Sequence, residues 1–439
     1  MVGKKYKICG VGAGILGVPV CAVIASKCPE YSVSVVDCDR DIIDQWNNGP
    51  DYPISEVGLD DLLKQCIGKN FVFSSEVDAY LADADIILIC VKTPAKSLGV
   101  AADFGSIEAV SRQIVASGNS SAIVVVQSTV PIGATDLINS IFSANKKVSF
   151  IFLPQPSKLV VLSNPQFVSE GSVIENLLHP DRVVLGGEAD AVSRKAINVI
   201  SSIYERWVPK EKILTMSTKS AEVTRLVTNA FLAQRVSSIN AISSVCEETA
   251  ADVRQVADAV GRDKRVGRHF LDAGLGFGGN TLPPDLHHLV YTCELLELPI
   301  VATFWNAVLS VNEFQVSRFF RKITAHYCET LRDKRIALLG CAFKKGTPDV
   351  KYVCETILNS PAVTICCRLL LEDSTIAVYD PLAKRKFLVD AITDMLGQKP
   401  GAFFLSLANI DNLIWCATPM EAAENADGVI VCTDCDEFK

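Results

Sequence analysis

Two doubly wound parallel-sheet domains, joined by a long central helix and an all-α middle region, make up the α/β chain that this sequence predicts. Three observations lead there. Short, nearly continuous apolar runs recur in both halves of the chain and alternate with helical patterns, as strands buried on both faces of a parallel sheet do. A glycine-rich turn follows the first run, and an acidic residue closes the second. Between the two halves, about Thr218 to Thr249 contains no Gly or Pro, and its apolar residues recur at helical spacing. The 439 residues are 49% hydrophobic, enough for more than one core, and the length suggests two or three domains.

Taken in order, Lys7-Ile8-Cys9-Gly10-Val11 is a short apolar strand, and small residues from Val18 to Lys27 form a helix. Val33-Ser34-Val35-Val36-Asp37 is the second strand, which completes a parallel crossover unit. Ile86 to Val91 and Ile123 to Val126 are further buried strands. The segment Phe152 to Leu159, rich in Pro, reads as an insertion before the strand Val160-Val161-Leu162. Thr218 to Thr249 is one long helix or a closely joined pair, marked by Val223, Leu226, Phe231, Val236 and Ile239. A second helical block runs from about Leu286 to Tyr327. Strand patterns then return at Arg335 to Gly340, Ile376 to Asp380 and Gly428 to Cys432. The expected domains are 1–217, 218–330 and 331–439, the last incomplete because the chain stops soon after a strand.

The net charge of -8 disfavours nucleic acid and anionic membrane surfaces as partners. No apolar stretch is long enough to span a bilayer, and no signal peptide precedes the first strand. The 16 scattered cysteines read as reduced thiols of a cytoplasmic protein. Cys366-Cys367 and Cys432-x-x-Cys435 have no second pair at zinc-ligand spacing, so buried strand cysteine is expected there and no metal.

Gly12-Ala13-Gly14-Ile15-Leu16-Gly17 is the chief motif. It follows a strand, opens a helix and stands 20 residues before Asp37, counted from Gly17. The glycines permit a tight turn and close backbone approach to a pyrophosphate, which the helix N-terminus then attracts. Asp37 is placed for ribose hydroxyls and would repel a 2′-phosphate, which favours NAD over NADP; the nearby Arg40 offsets that preference slightly. This is a Rossmann-type nucleotide site.

Several ordered segments carry a resemblance over nearly the whole chain. Gly12 to Gly17, Val91-Lys92-Thr93-Pro94, Ser128-Thr129-Val130-Pro131, Leu162-Ser163-Asn164-Pro165, Asn229 to Arg235, Gly276-Phe277-Gly278-Gly279 and Ala342-Phe343-Lys344-Lys345 resemble the UDP-glucose 6-dehydrogenases of the UDP-glucose/GDP-mannose dehydrogenase family. The resemblance implies oxidation of a UDP-glucose C6 alcohol to UDP-glucuronate with two NAD. It implies a central helix used for dimerisation, and dimers that assemble further, to hexamers in some members. A cysteine traps the intermediate aldehyde, and a thioester is then hydrolysed; a thiolate is both nucleophile and leaving group.

By the same resemblance Thr93, Pro94, Ser128 and Thr129 belong to the cofactor site, with Thr129 also near the chemistry. Phe167, Glu170, Arg225, Asn229, Arg265, Phe270, Phe277, Gly278 and Lys344 belong to the sugar-nucleotide site, Arg265 reaching it from a neighbouring subunit. Glu170, Asn229 and Asp285 are catalytic residues retained from the family pattern.

The sequence departs from that pattern at the reacting centre. Thr281 stands where the cysteine is expected, Arg225 where a lysine is, and Gln166 where a glutamate is. A threonine hydroxyl ionises far above neutral pH, arginine cannot act as a base, and an amide cannot accept a proton. Lys92 replaces an asparagine, Val126-Gln127 a Glu-Lys pair, and Gly346 an aspartate. The loop after Pro94 is shortened. Three readings follow: an NAD-dependent UDP-glucose dehydrogenase of weak or altered activity, one version of which stops at the aldehyde; an inactive NAD- and UDP-sugar-binding homologue that regulates or joins oligomers of an active relative; or a decayed chain that folds poorly.

Overall fold

The computed structural model describes residues 5–49, 52–54, 56–93, 104–146, 159–279, 281–347, 350, 360–397 and 410–438. The expectations for the Phe152 segment and for the loop after Pro94, Pro94 included, lie essentially outside these residues. The chain forms two compact units, one running to Arg225 and the other from Leu226 onward.

The first unit holds eight strands: β1 (Lys7–Val11), β2 (Ser32–Val36), β3 (Phe71–Ser74), β4 (Ile86–Ile89), β5 (Ile123–Val126), β6 (Val160–Ser163), β7 (Val183–Gly186) and β8 (Ile213–Met216). They lie in the order β3-β2-β1-β4-β5-β6-β7-β8. All neighbours are parallel except β6 and β7, which meet antiparallel at Ser163 and Gly186. The continuous apolar runs have a simple cause. Ile8, Val33, Val35, Ile86 and Leu88 face one helix-covered core, while Cys9, Val11, Val36, Ile87 and Ile89 face the other. Burying each Ile, Leu or Val on either face contributes roughly 2 kcal/mol, so polar alternation has no place in β4. β1 has β2 on one side and β4 on the other, so the order reverses there and the strand ends open a crevice.

The central helix Thr218–Glu248 is a single element of 31 residues that starts in the first unit and continues into the second, where Val253–Gly261, Leu282–Leu295 and Pro299–His326 follow. The expected helical block thus divides in two, because Glu297 takes a left-handed φ of 56° and Pro299 opens a new first turn. Ala230, Ala233, Leu286, Leu289, Trp305 and Leu309 form the shared core of these helices. The four-stranded parallel sheet that follows has β9 (Arg335–Leu339), β10 (Thr375–Tyr379), β11 (Leu413–Trp415) and β12 (Gly428–Val431), in the order β11-β10-β9-β12.

One expectation is corrected here. Cys366 and Cys367 lie on the helix Pro361–Leu371, not on a strand. Both are buried in the core under this sheet, where apolar packing accounts for them. Among the described residues no group of three or more His, Cys, Asp or Glu is placed to hold a metal. No helix among them is long and apolar enough to cross a membrane.

Candidate functional site

β1 ends in the glycine turn, and its closeness to β4 explains the glycines. A Cβ on Gly12, which has φ 113°, would lie 2.8 Å from the Cys90 carbonyl oxygen, and one on Gly17 would lie 2.0 Å from the Gly12 oxygen. Gly14 is different: a Cβ there would meet only Lys92 Cε, at 3.9 Å. The turn is therefore closed on its β4 side and open along Gly14, where a pyrophosphate needs room. Ile15 and Leu16 are half-buried over the start of the helix Gly17–Lys27. Asp37 follows β2, and its carboxylate accepts from the Ala13 N–H (2.9 Å) and the Asp39 N–H (3.0 Å). Arg40 is exposed at the first position of the next helix, which Asp39 caps.

The ends of β4 and β5 are tied together. Ser128 is buried and donates to the Ile89 (3.1 Å) and Val91 (2.8 Å) carbonyls, and Thr93 donates to the carbonyl of the half-buried Thr129. Beyond β6, the Gln166 amide turns inward. Its Nε2 lies 2.9 Å from Asn164 Oδ1 and 3.2 Å from Tyr204 Oη. Gln127 Nε2 and Tyr204 Oη also donate to Asn164 Oδ1, at 3.0 and 2.7 Å. Burial pushes the Tyr204 hydroxyl up to about 12, so it stays a donor at neutral pH. Gln127 and Gln166, two separate departures in the sequence, thus share one buried acceptor. Arg225 donates to the Gln166 carbonyl at 2.7 Å. Phe167 carries the Arg182 guanidinium over its ring at 4.0 Å, beside a cavity of about 110 Å³ that Gln166, His179 and Tyr204 also line. Glu170 is half-buried in the turn that follows.

In the second unit Asn229 donates to Asp285 at 2.5 Å. Asp285 is only 3% exposed and stands in the first turn of Leu282–Leu295, where the helix dipole favours a carboxylate. Thr281 occupies the N-cap of that helix, half-buried, and its hydroxyl makes no capping bond. The loop before it is held by side chains of the two long helices. Arg235 donates to the carbonyls of Val266, Gly267 and His269. Asn312 brackets Phe277, accepting from its N–H and donating to its carbonyl. Phe270 takes a left-handed φ of 62° and is 44% exposed, and the Phe277 and Gly278 backbone is buried. Gly279 abuts the Phe343 ring, so this loop packs on the segment that carries Lys344. Arg265 is exposed and paired with Asp263 at 2.6 Å.

Comparison with known proteins settles what this arrangement belongs to. The profile of the UDP-glucose/GDP-mannose dehydrogenase family matches in three parts: the NAD binding domain over 6–208, the central domain over 219–314 and the UDP binding domain over 337–439. The chain belongs to this family. UDP-glucose 6-dehydrogenase of Mus musculus is 42% identical over 438 residues, covering 99% of this chain and 84% of its own. UDP-glucose 6-dehydrogenase 3 of Oryza sativa subsp. japonica is 41% identical over 447 residues, covering 99% and 88%. A solved UDP-glucose dehydrogenase from Pyrobaculum islandicum superposes with a TM-score of 0.82 at 27% identity, over 100% of this chain and 92% of that one. The UDP binding profile continues to residue 439, which tempers the expectation of an incomplete last domain.

NAD is the cofactor of this dehydrogenase family, and the residues present fit it: the turn is open along Gly14, and the Asp37 carboxylate stands at the adjoining strand end. Other carboxylates were missed in the sequence reading. Glu222 is buried and accepts from the Gly133 N–H (2.7 Å) and from the Thr135 N–H and hydroxyl (3.0 and 2.6 Å). Glu56 accepts from Gly171 and Val173, so it holds the turn next to Glu170. Glu222 had a signal, a charge on the inward face of the central helix three residues before Arg225. Glu56 had none, because its partners lie more than a hundred residues away. Cys293 offers no replacement thiol: it is buried, and burial raises its pKa.

Proposed function

We propose that this chain binds NAD and UDP-glucose, or a closely related UDP-sugar, and oxidises the sugar only as far as the C6 aldehyde. The observation that carries this reading is Thr281 at the helix N-cap, four residues ahead of the buried Asp285. The open turn at Gly14 and the Asp37 carboxylate would hold NAD, which would supply a hydride acceptor for the sugar carbon. Asp285, held by Asn229, orders a water and through it takes the hydroxyl proton in the first oxidation. Arg225 supplies positive charge toward a developing oxyanion, and Glu170 and Thr129 line the reacting group as the family pattern suggests. The second oxidation needs a nucleophile that adds to the aldehyde and later leaves. A threonine alkoxide is scarce at neutral pH, and its ester hydrolyses less readily than a thioester. The product is therefore the aldehyde or its hydrate.

One observation favours a second reading, in which the chain joins oligomers of an active relative. Phe231 and Val245 on the central helix, and Ile300 and Phe304 on Pro299–His326, are at least half exposed. The same residues support assembly of this chain with itself, built on dimers and extending to a hexamer. Described cysteines that are all unpaired support a reducing, cytoplasmic setting. The family profile segments support domains at 1–217, 218–330 and 331–439.

The test is turnover with UDP-glucose and excess NAD, following NADH and identifying the product by mass spectrometry, beside Thr281→Cys. Aldehyde at one NADH per sugar from the wild type, and UDP-glucuronate from the variant, is the expected result. UDP-glucuronate from the wild type at two NADH per sugar overturns the proposal.

A further inference from the structure

We propose that Lys92 is a dinucleotide-anchoring residue, adding to the glycine turn a positive charge for the cofactor pyrophosphate. The inference rests on the NAD reading above. The topology places the residue. β1 and β4 are parallel neighbours with Val11 opposite Ile89, so the segments after them, Gly12–Gly17 and Cys90–Thr93, emerge on the same edge at the point where strand order reverses. The β4 end presses on the turn from one side, since a Cβ on Gly12 would strike the Cys90 carbonyl. Two residues on, Lys92 brings its Cε to 3.9 Å from where a Gly14 Cβ would be, the nearest atom that such a Cβ would meet. The side chain is exposed, so the ammonium is free to follow a phosphate, and its flexible stem suits a point charge better than a fixed fork.

In most such turns the phosphates rely on backbone N–H groups and the helix dipole, whose effect is a fraction of a charge. A whole charge beside Gly14 strengthens that attraction. Because the site is solvated, the gain is screened by salt, with a Debye length of about 10 Å at 0.1 M. It also acts on the pyrophosphate and not on adenosine.

The experiment measures binding by titration calorimetry of NAD, ADP and adenosine to the full chain at low and high salt, for wild type, Lys92→Asn and Lys92→Arg. Lys92→Asn is expected to weaken NAD and ADP about threefold to tenfold at low salt, a gap that narrows at high salt, while adenosine is unchanged and Lys92→Arg stays near wild type. Wild type that binds NAD with the same affinity and salt dependence as Lys92→Asn overturns the role of Lys92 alone. Loss of adenosine binding in Lys92→Asn as well means a damaged fold and overturns it too. Wild type that binds none of the three overturns this inference together with the cofactor reading.

Discussion

Asp37 directly follows β2 of the first unit and Asp380 directly follows β10 of the second, and each carboxylate reaches back to the turn after the neighbouring strand. Asp37 holds one N–H of its turn, Ala13, and one just beyond itself, Asp39, and stays partly exposed. Asp380 is 8% exposed and accepts from four N–H groups: Cys341 (2.7 Å), Ala342 (3.1 Å), Leu382 (2.9 Å) and Ala383 (2.8 Å). Gly340 stands directly after β9 as Gly12 does after β1, and both are filled in, a Cβ meeting Thr433 at 2.6 Å in one and the Cys90 oxygen at 2.8 Å in the other; the room in the first turn lies at Gly14. An acidic residue at a strand end is thus two things. With open space beside it and capacity left, it can take a ligand, the ribose role proposed for Asp37. Buried and saturated by backbone donors, it is a clamp.

The largest expected effect breaks the comparison at its buried end. Asp380→Ala strands four donors and should cost the second unit about 3–5 kcal/mol in urea unfolding. A loss below about 1 kcal/mol would show that water replaces the carboxylate, and the two turns would then be equivalent.

A second, intermediate effect sets the second unit apart by pH. Burial lowers His288, on the Leu282–Leu295 helix, to about 4, and lowers His287 as well. The folded value lies below the unfolded one, so the neutral form is favoured on folding. Its stabilising contribution is complete above the unfolded value near 6.5 and is lost as pH falls toward the folded one. Wild type should lose on the order of 2 kcal/mol more than His288→Leu between about pH 7 and about pH 4.5. Parallel stability curves for the two proteins would remove His288 from the account.

The smallest effect probes the open end. Asp37→Asn should weaken NAD about tenfold in a binding titration while changing unfolding stability by less than about 1 kcal/mol. A stability loss as large as that of Asp380→Ala, with NAD affinity intact, would make Asp37 a clamp as well.

Much of this was legible in the residues. The strands β1, β2, β4, β5, β6, β9, β10 and β12 could be placed from runs such as Ile86 to Ile89, since burial on both faces forces continuous apolar sequence. The glycine turn was legible because only glycine fits positions pressed against another backbone. Thr281, Arg225 and Gln166 stood out against the family pattern. The antiparallel meeting of β6 and β7 was not legible, because a strand reads the same in either direction. Asp380 had the same local form as Asp37, and nothing nearby in sequence counts its donors.

By itself, then, the sequence determined the order of the elements, the glycine turn and the family, and it placed a threonine at position 281. These depend on residue type and short spacing, which a chain states openly. Tertiary structure alone decided that Gln127 and Gln166 share the Asn164 oxygen, that Glu56 and Glu222 hold distant turns, that Asp285 is buried against Asn229, and that Lys92 lies over Gly14. The physical reason is that a buried polar group must find its partner in space, and folding brings that partner from tens or hundreds of residues away.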